Sequence, residues 1–258
     1  MVAPTVILTH LNRADGSATY THLGYSIIGA VNGPIEVQRR DELPEEAAIE
    51  VNVRPATGVG SPRERHLETL VHNTLRSIIL MQSIPRTLVQ ITLQVRSLPE
   101  EDSTARVNTS LSLLPHLLHT ALLALLSASI PLRTTFTSIL IAQPASSSPP
   151  LVSPTANQLL RAKPIRSVHV FAFSGDRKML LSESEGDFSY EEWNEVCQTG
   201  EEACCGEDDD DDEGGIKLDV EGEAMDVDVE IEPENLDKWL RSVVKRKVEH
   251  EQRWKSAT

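Results

Sequence analysis

Cysteine is scarce in this chain of 258 residues, which has only Cys197, Cys204 and Cys205. An odd number of cysteines without CxxC spacing argues against both a disulfide framework and a zinc site. A domain of this length can bury enough apolar surface without such crosslinks. We therefore expect a reducing, intracellular setting.

Long uncharged hydrophobic runs are also missing. Pro115, His116, His119 and Pro131 interrupt the most apolar stretch, 111–132, whereas a membrane-spanning helix needs about 20 consecutive apolar residues. The N-terminal residues have no basic head followed by an apolar run, so no signal peptide is expected. We predict no membrane partner, and a buried helix in this apolar region.

Signatures of common catalytic and cofactor sites are absent. The sequence contains no GxGxxG, Walker, HExxH or GxSxG motif, and these motifs mark dinucleotide, nucleotide, zinc and hydrolase sites. An EF-hand match at 209–220 fails because Val220 stands where the loop needs a bidentate glutamate. We therefore expect neither a metal ion nor a cofactor.

The negative charge is concentrated in one segment. The chain has 39 acidic and 24 basic residues, but 201–234 alone holds 17 acids and one lysine. The rest of the chain is therefore close to neutral, at +1. A block of like charges repels itself and buries little apolar surface, so disorder is expected there.

Arginine supplies almost all of the positive charge before residue 200, where Lys163 and Lys178 are the only lysines. The guanidinium group forms paired hydrogen bonds to phosphates and carboxylates. The composition therefore suits an anionic partner, although a general compositional preference for arginine gives the same pattern.

Alternation of apolar and polar residues predicts β-strands. The predicted strands lie near 6–8, 25–31, 49–53, 88–95, 138–142, 168–173 and 179–182. The first third is expected to be antiparallel. The segment 144–154 is rich in proline and serine and is predicted to be an irregular loop.

Capping boxes and apolar spacing predict the helices. Ser61–Glu64 and Ser189–Glu192 each match the capping-box pattern. The helix at 107–129 is apolar nearly all round and should be central, with Pro115 either kinking it or marking its start. An amphipathic helix over 236–248 is expected to dock on the domain. The order of elements indicates an α+β fold.

Five short segments form a distinctive combination: Asp15–Ala18, Val31–Glu36, Val53–Pro55, Ser61–Glu68 and Pro85–Thr87. Together they resemble the RNase PH-like family. Asn32–Glu36 together with Arg39–Pro44 is most similar to ring subunits of the eukaryotic RNA exosome. The resemblance covers about residues 11–198. It implies a two-layer fold of mixed sheets and helices, like the second domain of ribosomal protein S5.

The resemblance also implies an organisation and a set of partners. We expect an RNase PH-like domain at 1–199, a disordered acidic insertion at 200–233 and a helix within 234–258 that packs on the domain. The implied partners are other RNase PH-like ring subunits, cap subunits with RNA-binding folds and single-stranded RNA, but not DNA. The implied location is the nucleus and nucleolus, and also the cytoplasm.

The chain departs from the family's catalytic pattern. Active relatives carry carboxylates after the central strand and a glycine-rich loop that binds phosphate at a helix start. Here Val95-Arg96 replaces the family's Ala-Asp, and 97–106 contains three acids and no glycine. The later acidic patch is replaced by the proline- and serine-rich segment. The resemblance therefore predicts a subunit without catalytic residues.

Arginines are the candidate RNA contacts. Arg63 and Arg65 lie where the family's basic motif precedes the first helix, and Arg96 is the weaker match. Single-stranded RNA needs positive charge along its backbone. Alternatively, these arginines pair with Glu64, Glu68 or a neighbouring subunit.

Three functions stay open at this point. The first possibility is a non-catalytic structural subunit of the six-membered exosome ring, which organises the RNA channel for 3′-to-5′ processing and degradation. The second possibility is a phosphate-dependent 3′ exoribonuclease with a diverged phosphate loop. The third is an interaction module whose acidic segment binds basic proteins without any RNA role. The missing catalytic pattern favours the first.

Overall fold

Two β-sheets and six α-helices make up the described part of the computed structural model, which comprises residues 4–40, 42–99, 109–145, 149–162, 164–206 and 235–256. The first sheet has the order β1-β2-β3-β5-β4, with β1 (Thr5–Leu8), β2 (Gly16–His22), β3 (Tyr25–Glu36), β4 (Ala48–Arg54) and β5 (Thr87–Ser97). The second has the order β7-β6-β8-β9, with β6 (Phe136–Pro144), β7 (Leu151–Val152), β8 (Ile165–Ser174) and β9 (Met179–Gly186). The helices are α1 (Pro62–Ile78), α2 (Thr109–Ser127), α3 (Ala156–Arg161), α4 (Tyr190–Cys205), α5 (Leu236–Glu251) and α6 (Arg253–Ser256).

The elements stack in four layers. Ile91 of β5, Leu118 of α2 and Val170 of β8 belong to one buried core, so α2 lies between the two sheets. On the far face of the second sheet, Phe171 packs with Val196 of α4 in a smaller core. The predicted α+β class, with mixed sheets and helices, is confirmed. Because α2 is mostly apolar, it is buried by packing against a sheet on each side.

The predicted capping boxes start two helices. At α1 the Ser61 hydroxyl accepts from the amide of Arg63 at 3.3 Å, and the Glu64 carboxylate accepts from the amide of Ser61 at 2.7 Å. Ser189 and Glu192 form the same pair at α4. The buried residues of α1 recur at helical spacing: Leu67, Leu70, Val71, Thr74, Leu75 and Ile78. The capping pattern therefore located both helix starts correctly.

The central helix α2 packs unusually close to the first sheet. It continues through Pro115, which neither ends nor starts it. A Cβ at Gly16 would lie 2.3 Å from the backbone nitrogen of Ala128, and one at Gly29 would lie 2.8 Å from Thr120 Cγ2. Glycine at these two positions lets β2 and β3 approach the helix backbone, which seals this side of the core.

Two strand predictions were wrong. β4 pairs with β5 in parallel, so the first third of the chain is not wholly antiparallel. The helix α1 connects these strands as a crossover, and such a connection returns the chain in the same direction. Leu151 and Val152 form β7 on the edge of β6 within the segment predicted to be irregular. The short helix α3, with its capping box at Thr155 and Gln158, was not predicted.

The C-terminal helix α5 packs on the domain. Leu236, Trp239 and Leu240 are buried. The indole nitrogen of Trp239 donates to the carbonyl of Pro4 at 3.2 Å, and Lys247 Nζ donates to the carbonyl of Ser127 at 3.3 Å. The lysine thus lies at the C-terminal end of α2, where a helix dipole favours a cation.

No helix in the described ranges has the length and apolar character needed to cross a membrane.

Candidate functional site

A cavity of about 20 Å³ lies where the first half of α2 meets the turn between β2 and β3, β6 and the segment 153–159. Ser153 and Pro154 of this lining belong to the proline- and serine-rich segment 144–154, one of the places where the sequence departs from the family's pattern. The polar part of the lining consists of two tyrosines, three histidines and three serines. No aspartate, glutamate, lysine or arginine of the described residues lines the cavity. We name it the histidine cavity.

His119 links α2 to two other elements of the histidine cavity. Its Nε2 accepts from the backbone amide of Ser138 at 3.0 Å, so the proton of the neutral ring lies on Nδ1. That Nδ1 is 3.4 Å from the hydroxyl oxygen of Tyr20, to which it donates. Burial, and secondarily the neighbouring His22, lowers the pKa of His119 to about 3. The ring is therefore uncharged at neutral pH.

His116 lies one helical turn before His119 in α2 and is equally uncharged. Its ring stacks on Tyr25 with centroids 4.5 Å apart and lies 5.4 Å from the ring of His22. Burial, together with His22 and His119, lowers the pKa of His116 well below its usual range. Neutral imidazoles do not attract a phosphate dianion.

The candidate arginines on α1 lie in its first turn. Arg63 and Arg65 are both exposed. Arg65 Nη1 lies 3.6 Å from Glu68 Oε2, while Glu68 Oε1 accepts from the backbone amide of Val53 at 2.9 Å. Glu68 therefore holds the start of α1 beside the end of β4. The ion pair between Arg65 and Glu68 matches the alternative in which these arginines have internal partners.

Arg96 lies at the carboxyl end of β5 and is exposed. In the register of β4 with β5, Arg54 is opposite Gln94, two residues before Arg96, so both arginines occupy the outer face of the first sheet. Parallel strands end at the same edge, and Glu68 fixes the start of α1 there as well. Arg54, Arg63, Arg65 and Arg96 thus form a basic edge at one end of the domain. Sequence reasoning missed Arg54, although its place as the last outward residue of β4 was a usable signal.

The histidine and cysteine side chains of the second sheet and α4 have surroundings that favour a structural role. His169 has its two ring nitrogens 2.8 and 2.9 Å from the hydroxyls of Ser184 and Ser167. Burial raises the pKa of the Cys204 thiol to about 12, which disfavours the thiolate. Across the described ranges, no group of three or more metal-ligating side chains is positioned to hold a metal ion.

Comparisons with known proteins place the fold. The description "3′ exoribonuclease family, domain 1" matches residues 4–131. Exosome complex component RRP46 of Saccharomyces cerevisiae is 34% identical over 197 residues, which are 75% of this chain and 86% of the yeast protein. The Schizosaccharomyces pombe counterpart is 36% identical over 123 residues, 48% of this chain and 50% of that protein.

The chain belongs to the 3′ exoribonuclease family. The crystal structure of rice Rrp46 superimposes with a TM-score of 0.65 at 25% identity, over 77% of this chain and 87% of the rice chain. A chain of the Archaeoglobus fulgidus exosome superimposes with a TM-score of 0.59 at 15% identity, over 77% and 84%, which supports the fold alone. The resemblance of the sequence to RNase PH-like exosome subunits is thereby confirmed.

Two predicted features lie largely beyond the described residues. Residues 100–106 of the glycine-free loop 97–106 fall outside them, as does 207–234 of the acidic segment. The replacement of the phosphate-binding loop therefore stays a prediction from sequence. The structure does show that α2 and the segment 153–159 meet at an uncharged cavity.

Proposed function

We propose that this chain is a non-catalytic structural subunit of the six-membered exosome ring and supports 3′-to-5′ RNA processing and degradation by organising the RNA channel. The observation that carries the proposal is the uncharged histidine cavity in a chain that is 34% identical to an exosome component. In-line attack of phosphate on a phosphodiester needs cations or oriented donors around two anionic groups. The described lining offers neutral imidazoles, hydroxyls and apolar side chains instead.

The proposed partners are other RNase PH-like ring subunits, cap subunits with RNA-binding folds and single-stranded RNA, in the nucleus, nucleolus and cytoplasm. A ring of unlike subunits needs two different faces on each, each burying about 1,000 Å² or more. At β4 the amide of Val53 donates to Glu68, so this edge of the first sheet is partly closed. The opposite edge is β1, where Ile7 is 63% exposed. We assign β1 as the edge that a ring neighbour extends.

The basic edge is the proposed RNA contact of this subunit. Arg54, Arg63 and Arg96 are exposed at the same end of the domain. Only 4% of the residues are aromatic, so the contribution is electrostatic and salt-dependent rather than based on stacking. The proposed domain division stays 1–199, 200–233 and 234–258, although α4 itself continues to Cys205.

A phosphorolysis assay tests the proposal. The purified full chain, alone and co-expressed with its ring neighbours, is incubated with 3′-labelled single-stranded RNA in phosphate buffer, with an active RNase PH as positive control. We expect no phosphate-dependent release of nucleoside diphosphates above the no-enzyme background. Phosphate-dependent release that is lost on Arg65→Ala, but not on Arg76→Ala at the other end of α1, would establish the exoribonuclease alternative instead.

A further inference from the structure

Two buried polar atoms in the histidine cavity have no hydrogen-bond partner among the described residues: His116 Nδ1 and Ser138 Oγ. His116 is 6% exposed and Ser138 is 2% exposed, and both line the cavity. Buried polar groups in native proteins are almost always paired, either with protein or with ordered water. A hydrogen-bond partner outside the protein is therefore expected for each of these two atoms.

A third group at the cavity has a proton to donate. Because His119 Nε2 accepts from Ser138, its Nδ1 carries the proton and donates to the hydroxyl oxygen of Tyr20. The Tyr20 hydroxyl thus receives one hydrogen bond, and its own proton must go to another acceptor. Burial raises the pKa of Tyr20, so this proton is retained.

We propose that the histidine cavity is a hydration site that holds one ordered water, hydrogen-bonded to Tyr20 Oη, His116 Nδ1 and Ser138 Oγ. The volume of about 20 Å³ exceeds the roughly 10–15 Å³ that one water needs. Buried waters typically make about three hydrogen bonds, which is the number of partners available here. The water ties β2, α2 and β6 together at their meeting point.

The uncharged lining selects water over an ion. An anion finds no cationic side chain among the described lining residues, and a metal ion finds no suitable ligand group in the same ranges. An uncharged molecule that both donates and accepts satisfies all three atoms at once. This inference does not depend on the proposed function, because it follows from the hydrogen-bonding groups alone.

The variant Ser138→Ala separates a wet cavity from a dry one by the sign of its effect. It removes the hydroxyl but leaves the backbone amide that binds His119. In a dry cavity the hydroxyl is an unpaired buried group, and its removal leaves the melting temperature unchanged or raises it. With the water bound, the same variant removes a partner and lowers the melting temperature by about 2–4 °C.

A double-mutant cycle with Tyr20→Phe tests whether one water bridges the two hydroxyls. We expect the effects of Tyr20→Phe and Ser138→Ala on melting temperature to be non-additive. The matched control is Ser174→Ala in β8, a serine that is also 2% exposed and accepts from the amides of Asp176 and Lys178. Its effect should add to that of Tyr20→Phe.

Two direct measurements complete the test on the full chain. High-resolution electron density should show one peak at about 2.7–3.2 Å from the three atoms, and nitrogen-15 NMR should show His119 protonated on Nδ1. A well-ordered cavity without density, an unchanged or raised melting temperature for Ser138→Ala, additive effects in the cycle or the other His119 tautomer would each overturn the proposal.

Discussion

Acidification should destabilise this protein well before its carboxylates begin to titrate. His116 and His119 are buried against Tyr20 and, through His119, against Trp239 of the C-terminal helix. Both rings are neutral in the folded protein, whereas they bind protons with ordinary affinity in the unfolded chain. Protons therefore bind preferentially to the unfolded state as the pH falls.

The size of the effect follows from the pKa of His119. Its folded-state pKa is about 3 and its ordinary value is 6.5. Its contribution to stability is fully present above pH 6.5 and is lost as the pH falls from 6.5 towards 3, at about 1.4 kcal/mol per pH unit. At pH 5 this histidine alone costs about 2 kcal/mol, and His116 adds a loss in the same direction. A typical domain has only about 5–15 kcal/mol of stability.

Urea unfolding of the full chain between about pH 7.5 and pH 5 measures this dependence as a change in free energy of unfolding. His119→Gln cannot titrate, so its stability should depend less steeply on pH than that of the wild type. His66→Gln, on the exposed surface of α1, is the matched control and should keep the wild-type slope. Identical slopes for the wild type and His119→Gln, or greater stability at pH 5, would refute the assignment of neutral buried histidines.

Two further predictions concern the acidic segment and the basic edge. Deleting 207–230 should leave the melting temperature nearly unchanged, because a self-repelling polyacid stabilises little. Truncating the chain before Leu236 should lower the melting temperature strongly, since each buried side chain of α5 contributes about 1.5–3 kcal/mol. Equal losses in calorimetry would contradict the docking of α5. In filter binding to single-stranded RNA, Arg63→Ala and Arg96→Ala should each weaken binding and reduce the salt slope by about 1. Arg76→Ala should do neither, and equal effects from all three would remove the basic edge from the RNA path.

Local sequence patterns were enough to predict most of the helices and strands. Capping boxes at Ser61 and Ser189 located two helix starts, because they depend only on residues three apart. The direction of β4 could not be predicted this way, since period-two alternation is the same in parallel and antiparallel strands. Which strands share a core with α2 is likewise a long-range property that local patterns do not encode.

Little of the candidate site could be predicted from the sequence. The replacement of the catalytic groups stays a prediction, and the family motif identified Arg63, Arg65 and Arg96 as candidates. That His22, His116 and His119 converge on one cavity could not be predicted, because β2 and α2 are separated by more than eighty residues and meet only in the folded chain. Arg54 was missed for a similar reason, since it joins Arg96 only through the register of β4 with β5.

The hydrogen bond between Trp239 and Pro4 joins two residues that are 235 positions apart in the sequence. A ribosome adding about 5–20 residues per second needs about 2–8 s to translate residues 207–247. During that interval the helix whose Trp239 contacts Tyr20 and His119 has not yet been made. Tyr20 and His119 therefore acquire their contact with the indole of Trp239 only after residues 207–238 have been translated.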